Sequence, residues 1–221
     1  MQKTVRFLDT TLRDGEQTPG VSFHLNEKVE FAKALEALGV DMIEAGFAGS
    51  SQGDFQAVSA ISAAVNTGVC SLARCVESDI RASWDALKNA AKPRIHVFIA
   101  TSPVHRAAKL NMSREQVLEA AIRGVRLARS LCADVQFSCE DATRTELDFL
   151  YQVYRAVVAE GATTLNIPDT VGYSSVKEYG ELIADIQRNV VGDREDIILS
   201  AHCHNDLGLA TATTLEAIRN G

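Results

Sequence analysis

Short apolar segments alternate with longer amphipathic ones along the 221 residues, and this alternation restricts the fold more than any other feature of the sequence. The apolar segments are predicted strands, at residues 5–12, 41–46, 69–75, 95–100, 134–139, 163–168 and 197–204. Helices are predicted at residues 26–38, 54–66, 77–91, 113–131, 146–160, 175–189 and 205–221. Strands that alternate with helices indicate an α/β fold in which crossover helices join parallel strands.

Helix ends carry recognisable signals. Ser113 followed by Gln116 predicts a capping box at the start of one helix. Gly39 and Gly161 stand where a left-handed residue commonly ends a helix.

Two architectures fit the alternation, the closed (β/α)8 barrel and the open doubly wound sheet. No G-x-G-x-x-G motif follows the first strand, which weakens the dinucleotide-binding form of the open sheet. Polar residues follow nearly every strand, and a barrel directs all of those strand ends toward one pocket. These residues are Arg13, Asp14, Glu44, Arg74, Glu140, Asp141, Asp169, Thr170, His202 and His204. We therefore predict a (β/α)8 TIM barrel; seven βα units are visible, so residues 1–221 are expected to form one catalytic domain truncated after the seventh unit.

Composition excludes several classes of function. The formal net charge is -7, without the clustered basic face that nucleic-acid binding requires. The first twelve residues resemble neither a signal peptide nor a membrane span, so a cytoplasmic protein without membrane or nucleic-acid partners is expected. The five cysteines form no C-x-x-C pair, which indicates reduced thiols.

The pair His202 and His204 is the strongest candidate for a metal site. Residues two apart on a strand project from the same face, so both imidazoles can reach one ion, while Cys203 points to the other face. Asp14, after the first strand, is a plausible third ligand, and such a set leaves positions open for substrate and water. Packing of two polar side chains against a loop is the alternative interpretation.

Other candidates are weaker when each is taken alone. Glu140 suits an acid–base or water-orienting role, whereas Asp141 is interpreted as a helix-start carboxylate. Asn166 and Thr170 either bind a substrate carboxylate or carbonyl or form turns around a proline. His96, inside an apolar strand, is more typical of a hydrogen-bonded core histidine.

Several long motifs, in order, resemble the DRE-type TIM-barrel family of metal-dependent condensing enzymes and lyases. The opening signature is LDTTLRDGEQ at residues 8–17, and the metal-binding signature is HCHNDLG at residues 202–208. The segments SLARC at 71–75, FSCED at 137–141 and NIPDTVGY at 166–173 resemble the branch that forms 2-isopropylmalate. The resemblance covers essentially the whole chain.

The resemblance implies a reaction and a set of site residues. Acetyl-CoA would condense with 3-methyl-2-oxobutanoate to give 2-isopropylmalate in leucine biosynthesis, with a divalent metal (Mn, Mg or Zn) and a homodimer in the full-length protein. Asp14, His202 and His204 would bind the metal, and Arg13 would stabilise the enolate. Glu140 and Thr170 would line the reacting centre, and the residues expected to bind the 2-oxo acid are Glu44, Leu72, His96, Ser138 and Asn166.

The family's eighth strand, its histidine-bearing lid and its leucine-binding C-terminal domain are not recognisable in the sequence. Residues 1–221 alone are therefore expected to be inactive or weakly active.

Three alternative functions stay open. Homocitrate synthases place a histidine and an arginine where Leu72 and Gln136 stand here, so the second carboxylate of 2-oxoglutarate would lack a partner. Citramalate synthase is harder to separate, because pyruvate also suits an apolar pocket. A barrel that keeps the metal site as a sensor or assembly module, without catalysis, is the third alternative.

Overall fold

The computed structural model describes residues 4–221. Within that range the strands are β1 Leu8–Asp9, β2 Met42–Gly46, β3 Gly68–Arg74, β4 Lys92–Ala100, β5 Val135–Glu140, β6 Thr164–Asp169 and β7 Ile198–Cys203. The helices are α1 Leu25–Leu38, α2 Gln52–Ala64, α3 Glu77–Leu87, α4 Pro103–His105, α5 Arg114–Leu131, α6 Leu147–Ala159, α7 Val176–Ile186 and α8 Ala210–Asn220. Strands and helices alternate, as predicted.

The chain divides into two compact units. Unit 1 contains the residues up to Val97 together with Ser130–Asp134, and unit 2 contains Phe98–Arg129 and Val135–Gly221. In unit 1, β1 pairs with β2 and β2 with β3, all parallel. In unit 2, β5 pairs with β6 and β6 with β7, again parallel. Within each unit these strands thus pair with the next in chain order, as in successive βαβ units.

The strand β6 is the most completely buried of unit 2, since all of Thr164–Asp169 is buried. Two tyrosines of the flanking helices hydrogen-bond to its carbonyls. Tyr154 donates to the Asn166 carbonyl at 2.7 Å, and Tyr179 donates to the Ile167 carbonyl. Buried phenols need such partners, so these bonds fix α6 and α7 against the strand just before its carboxyl end.

Several segments differ from the predicted boundaries; for example, α3 ends at Leu87 rather than at residue 91, and β4 begins at Lys92 rather than at residue 95. β1 contains only Leu8–Asp9, because the chain turns at once: the Arg13 amide donates to the Thr10 carbonyl at 3.1 Å. The last helix begins at Ala210 rather than at residue 205, since residues 205–209 form a loop with Gly208 at φ 72°. Finally, α4 and the turn that follows it were not predicted.

The helix-end predictions are confirmed. The Ser113 amide donates to the Gln116 side chain at 2.8 Å, and the Gln116 amide donates to the Ser113 hydroxyl at 3.3 Å. Gly39 has φ 90° and Gly161 has φ 102°, both in the left-handed region that favours glycine at a helix end.

Two helical glycines allow a test of packing between α7 and α8. A Cβ on Gly180 would lie 2.7 Å from Glu216 Cγ, whereas one on Gly53 in α2 would meet nothing closer than 3.7 Å. We expect Gly180→Ala to destabilise the protein by about 1 kcal/mol through overpacking, despite the higher helix propensity of alanine. Gly53→Ala should instead stabilise it by about 0.5 kcal/mol. Urea unfolding of both variants measures the difference; equal effects would show that α7 and α8 do not pack closely.

Candidate active site and metal ligands

In unit 1, four of the predicted site residues form one hydrogen-bonded group. Arg13 Nε donates to Glu44 Oε2 at 2.6 Å, and Arg13 NH1 donates to Asp14 Oδ1 at 3.0 Å. His96 Nδ1 lies 2.5 Å from the other carboxylate oxygen of Glu44. The carboxylate therefore joins the loop after β1 to the strands β2 and β4.

The charged side chains of this group shift one another's pKa values. Burial raises the pKa of Glu44, but Arg13 and His96 outweigh that effect and lower it from its ordinary value of 4.5 to about 2. Burial lowers the pKa of Arg13, while Glu44 and Asp14 raise it, and the net shift is upward. Glu44 is thus a permanent carboxylate near neutral pH, and Arg13 a permanent cation.

Leu72 and Cys70 lie two residues apart on β3 and so share a face of the strand. Leu72 is buried, as a pocket-lining apolar residue requires. Cys70 Sγ, together with Glu44 and His96, is within the distances that a metal site needs. However, burial raises the pKa of the Cys70 thiol well above its usual range, and Arg13 already neutralises Glu44, so this group does not suit a cation.

We expect Glu44→Gln to destabilise the protein by about 3 kcal/mol at pH 7, because it removes the buried carboxylate that pairs with the Arg13 cation and leaves Arg13 only the less buried Asp14. The pKa of Glu44 is depressed in the fold, so its contribution is complete above about pH 4.5 and declines as the pH falls toward 2. Urea unfolding from pH 7 down to the acid limit of folding checks both points.

The matched control is Glu30→Gln, since Glu30 forms only an exposed pair with Lys33 at 2.8 Å. That substitution should change stability by less than about 0.5 kcal/mol. Equal losses from Glu44→Gln and Glu30→Gln would contradict the assignment of Glu44 as a buried structural charge.

In unit 2, two of the predicted substrate-binding residues face each other across neighbouring strands. Ser138 on β5 is in register with Asn166 on β6, and Asn166 Nδ2 donates to Ser138 Oγ at 2.8 Å. Both are about 5% exposed. Thr170, by contrast, is exposed, and within residues 4–221 its side chain forms no hydrogen bond. The turn that carries it is held by Asp169, which accepts from the amides of Gly172 and Ser174.

Glu140 ends β5 and has a partner that the sequence did not indicate. Lys109 Nζ donates to Glu140 Oε1 at 2.7 Å and to Oε2 at 2.8 Å. The two residues are 31 positions apart, and Lys109 lies between the predicted strand 95–100 and the predicted helix 113–131, so no local pattern connected them. The sequence therefore did not reveal Lys109 as the charged neighbour of Glu140.

Asp141 differs from its interpretation as a helix-start carboxylate. It has φ 64° and precedes the 3-10 turn Ala142–Arg144, but its side chain makes no cap hydrogen bond. Instead it lies 2.7 Å from Arg144 Nε and 3.0 Å from His105 Nδ1. Burial raises the pKa of Asp141, but the hydrogen bonds from its partners outweigh that effect, so the pKa lies below its ordinary value. Asp141 is a buried structural ion-pair partner.

His202 lies near the end of β7, and His204 is the first residue after the strand. As predicted, their imidazole rings lie side by side, with centroids 5.0 Å apart. Their Nε2 atoms are 3.0 Å apart, and both residues are half-buried. Cys203 lies on the opposite face, where its thiol hydrogen-bonds with Tyr179 and Thr214 and where burial raises its pKa. The alternation therefore presents two imidazole nitrogens to one point and directs the thiol away from it.

Comparison with known proteins identifies the family. The model of the HMGL-like family matches residues 4–221, so the chain belongs to that family. It is 55% identical over 222 aligned residues to a 2-isopropylmalate synthase of Staphylococcus saprophyticus, covering all of this chain and 43% of that protein. The chain thus spans about two fifths of the length of the curated relatives that it matches.

Solved structures share the fold at lower identity. A hydroxymethylglutaryl-CoA lyase of Pseudomonas aeruginosa superposes with a TM-score of 0.81 at 22% identity, covering 99% of this chain and 74% of that one. An HMG-CoA lyase of Acinetobacter baumannii, in complex with coenzyme A and 3-methylmalate, gives 0.76 at 16% identity over 97% and 71% of the two chains. These similarities confirm the predicted α/β fold of the TIM-barrel class. Among the described residues no helix is long and apolar enough to cross a membrane.

Proposed function

We propose that residues 1–221 belong to the catalytic domain of an enzyme that condenses acetyl-CoA with 3-methyl-2-oxobutanoate to form 2-isopropylmalate and CoA. The observation that carries the proposal is the 55% identity, over the whole chain, to a curated 2-isopropylmalate synthase. The alignment with that synthase covers all of this chain, so it includes the motifs around Arg13, Glu140 and His202. A cytoplasmic location and a homodimer stay predictions.

We further propose that His202 and His204, with Asp14 as third ligand, hold a divalent metal. The convergent Nε2 atoms of the two histidines support this donor set, and Asp14 is added from its place in the LRDGEQ motif. Bound there, a divalent ion would polarise the ketone of the 2-oxo acid. Nitrogen and carboxylate ligands suit Zn, while open positions filled by oxygen would suit Mg or Mn.

The other residues are assigned by charge and environment. Arg13, a half-buried cation fixed by Glu44, is proposed to stabilise the negative charge that develops on the enolate oxygen. Glu140, half-buried and 2.7 Å from Lys109, is proposed to move a proton or orient water. Leu72 and His96 in unit 1, and Ser138 and Asn166 in unit 2, are proposed to bind the 2-oxo acid, with Thr170 at the reacting centre. Glu44 is proposed to contribute to the same binding through its bonds to Arg13 and His96.

The metal proposal predicts different effects for three adjacent residues. His202→Ala or His204→Ala should each weaken binding of Mn²⁺ or Zn²⁺ by about tenfold or more, because a direct bond is lost. Cys203→Ala should leave affinity within about twofold, since its thiol lies against Tyr179 and Thr214. Isothermal titration of the folded variants with each metal measures this; equal weakening in all three would rule out the two-histidine site.

The condensation itself is tested by thiol release from acetyl-CoA with three 2-oxo acids. In the natural protein that contains residues 1–221, we expect the highest kcat/KM with 3-methyl-2-oxobutanoate. Pyruvate should be poorer by about tenfold or more, because it fills less of an apolar pocket, and 2-oxoglutarate should be poorest because its second carboxylate has no cationic partner.

Each alternative has its own outcome in this assay. A preference for pyruvate would indicate a citramalate synthase, and a preference for 2-oxoglutarate a homocitrate synthase. Metal binding without thiol release for any 2-oxo acid would favour a non-catalytic sensor or assembly module.

A further inference from the structure

The segment between β4 and α5 in unit 2 has an uncommon backbone. The short helix α4 continues into a π-helical turn at Arg106–Leu110, and Asn111 follows with φ 49°. Single π-turns are rare and often occur at functional sites. A left-handed conformation at a residue other than glycine costs about 1 kcal/mol or more, so the surrounding contacts must hold it in place.

Several contacts of unit 2 anchor this segment. His105 Nδ1 lies 2.9 Å from Ser102 Oγ and 3.0 Å from the buried carboxylate of Asp141. Arg106 donates to both oxygens of Glu146 at 2.8 Å, and its guanidinium lies 5.1 Å from the centre of the Phe149 ring. Bidentate arginine–carboxylate pairs fix orientation as well as distance. The turn is therefore held rigidly at its amino-terminal end.

The anchored turn ends by presenting Lys109 to Glu140. The ammonium contacts both carboxylate oxygens, at 2.7 and 2.8 Å, which restricts rotation of the Glu140 side chain about its terminal bond. The side chains are 49% and 28% exposed, respectively, and a pair at this degree of exposure adds little to stability. A strained, heavily anchored turn is thus used to form a contact of small energetic value, which points to a role other than folding.

We propose that Lys109 is a positioning residue that orients the Glu140 carboxylate for its part in the condensation. This inference rests on the proposed function, because it requires Glu140 to act on the reacting groups. Lys109 needs no contact with substrate: it acts through the two hydrogen bonds to Glu140. Its effect should therefore fall on turnover rather than on substrate binding.

The test compares three lysine variants of the natural protein that contains residues 1–221. Lys109→Met should lower kcat by about tenfold or more and change KM for acetyl-CoA and the 2-oxo acid by less than about twofold. Lys109→Arg keeps the cation and should recover most of the lost turnover. Lys177→Met is the matched control, because Lys177 is 84% exposed and pairs only with Glu181, at 3.7 Å. It should behave as wild type.

A double-substitution cycle separates action through Glu140 from an independent effect. Glu140→Gln alone should lower kcat by about a hundredfold, and adding Lys109→Met should cost little more, because the oriented carboxylate is already gone. Thermal unfolding of every variant should stay near wild type; Lys109→Gln replaces Lys109→Met if the latter does not fold.

The outcomes distinguish the inference from the function on which it rests. Wild-type turnover in folded Lys109→Met, or losses that multiply in the double variant, would overturn the positioning role while the condensation stands. A slow Lys109→Met that Lys109→Arg fails to improve would also overturn it. A wild-type protein without thiol release for any 2-oxo acid would overturn both.

Discussion

The buried carboxylate of Glu44 is the interaction on which the site of unit 1 depends. A charge removed completely from water is costly unless it is paired and hydrogen-bonded. Glu44 meets that requirement through Arg13 on one oxygen and His96 on the other. The same contacts fix Arg13, whose second bond reaches Asp14. The positions of Arg13, proposed to stabilise the enolate, and of Asp14, a proposed metal ligand, thus follow from how the buried charge of Glu44 is neutralised.

Unit 2 fixes its polar residues in a different way, through hydrogen bonds around a buried strand. Tyr154 and Tyr179 bond to consecutive carbonyls of β6, and Asn166 bonds across to Ser138. The amide of Asn166 therefore has a defined orientation without any ionic partner. Beyond this buried layer, Lys109 and Glu140 form an ion pair at the end of β5 that water can reach.

The sequence predicted the features that depend on the repeat of side-chain directions along a strand or helix. It did not predict those that depend on contacts between residues far apart in the chain. The two-residue period of β7 placed His202 and His204 together and Cys203 on the other face. Nothing in residues 205–209 marked the loop that delays α8 to Ala210, because their polar character fits a helix start equally well. The turn that carries Lys109 depends on partners 31 to 40 residues away, which local propensity does not contain.

The carboxylates of Glu44 and Glu140 are suited to different chemistry. Glu44 is completely buried, and Arg13 and His96 lower its pKa to about 2, which favours the charged carboxylate at neutral pH over a role in proton transfer. A group of that kind can preorganise Arg13, which favours an electrostatic role for the pair. Glu140 is partly exposed, and its partner is a partly exposed lysine rather than an arginine that also pairs with a second carboxylate. Proton transfer requires a carboxylate that can both gain and lose a proton, and of the two only Glu140 lies where water and a substrate can reach it.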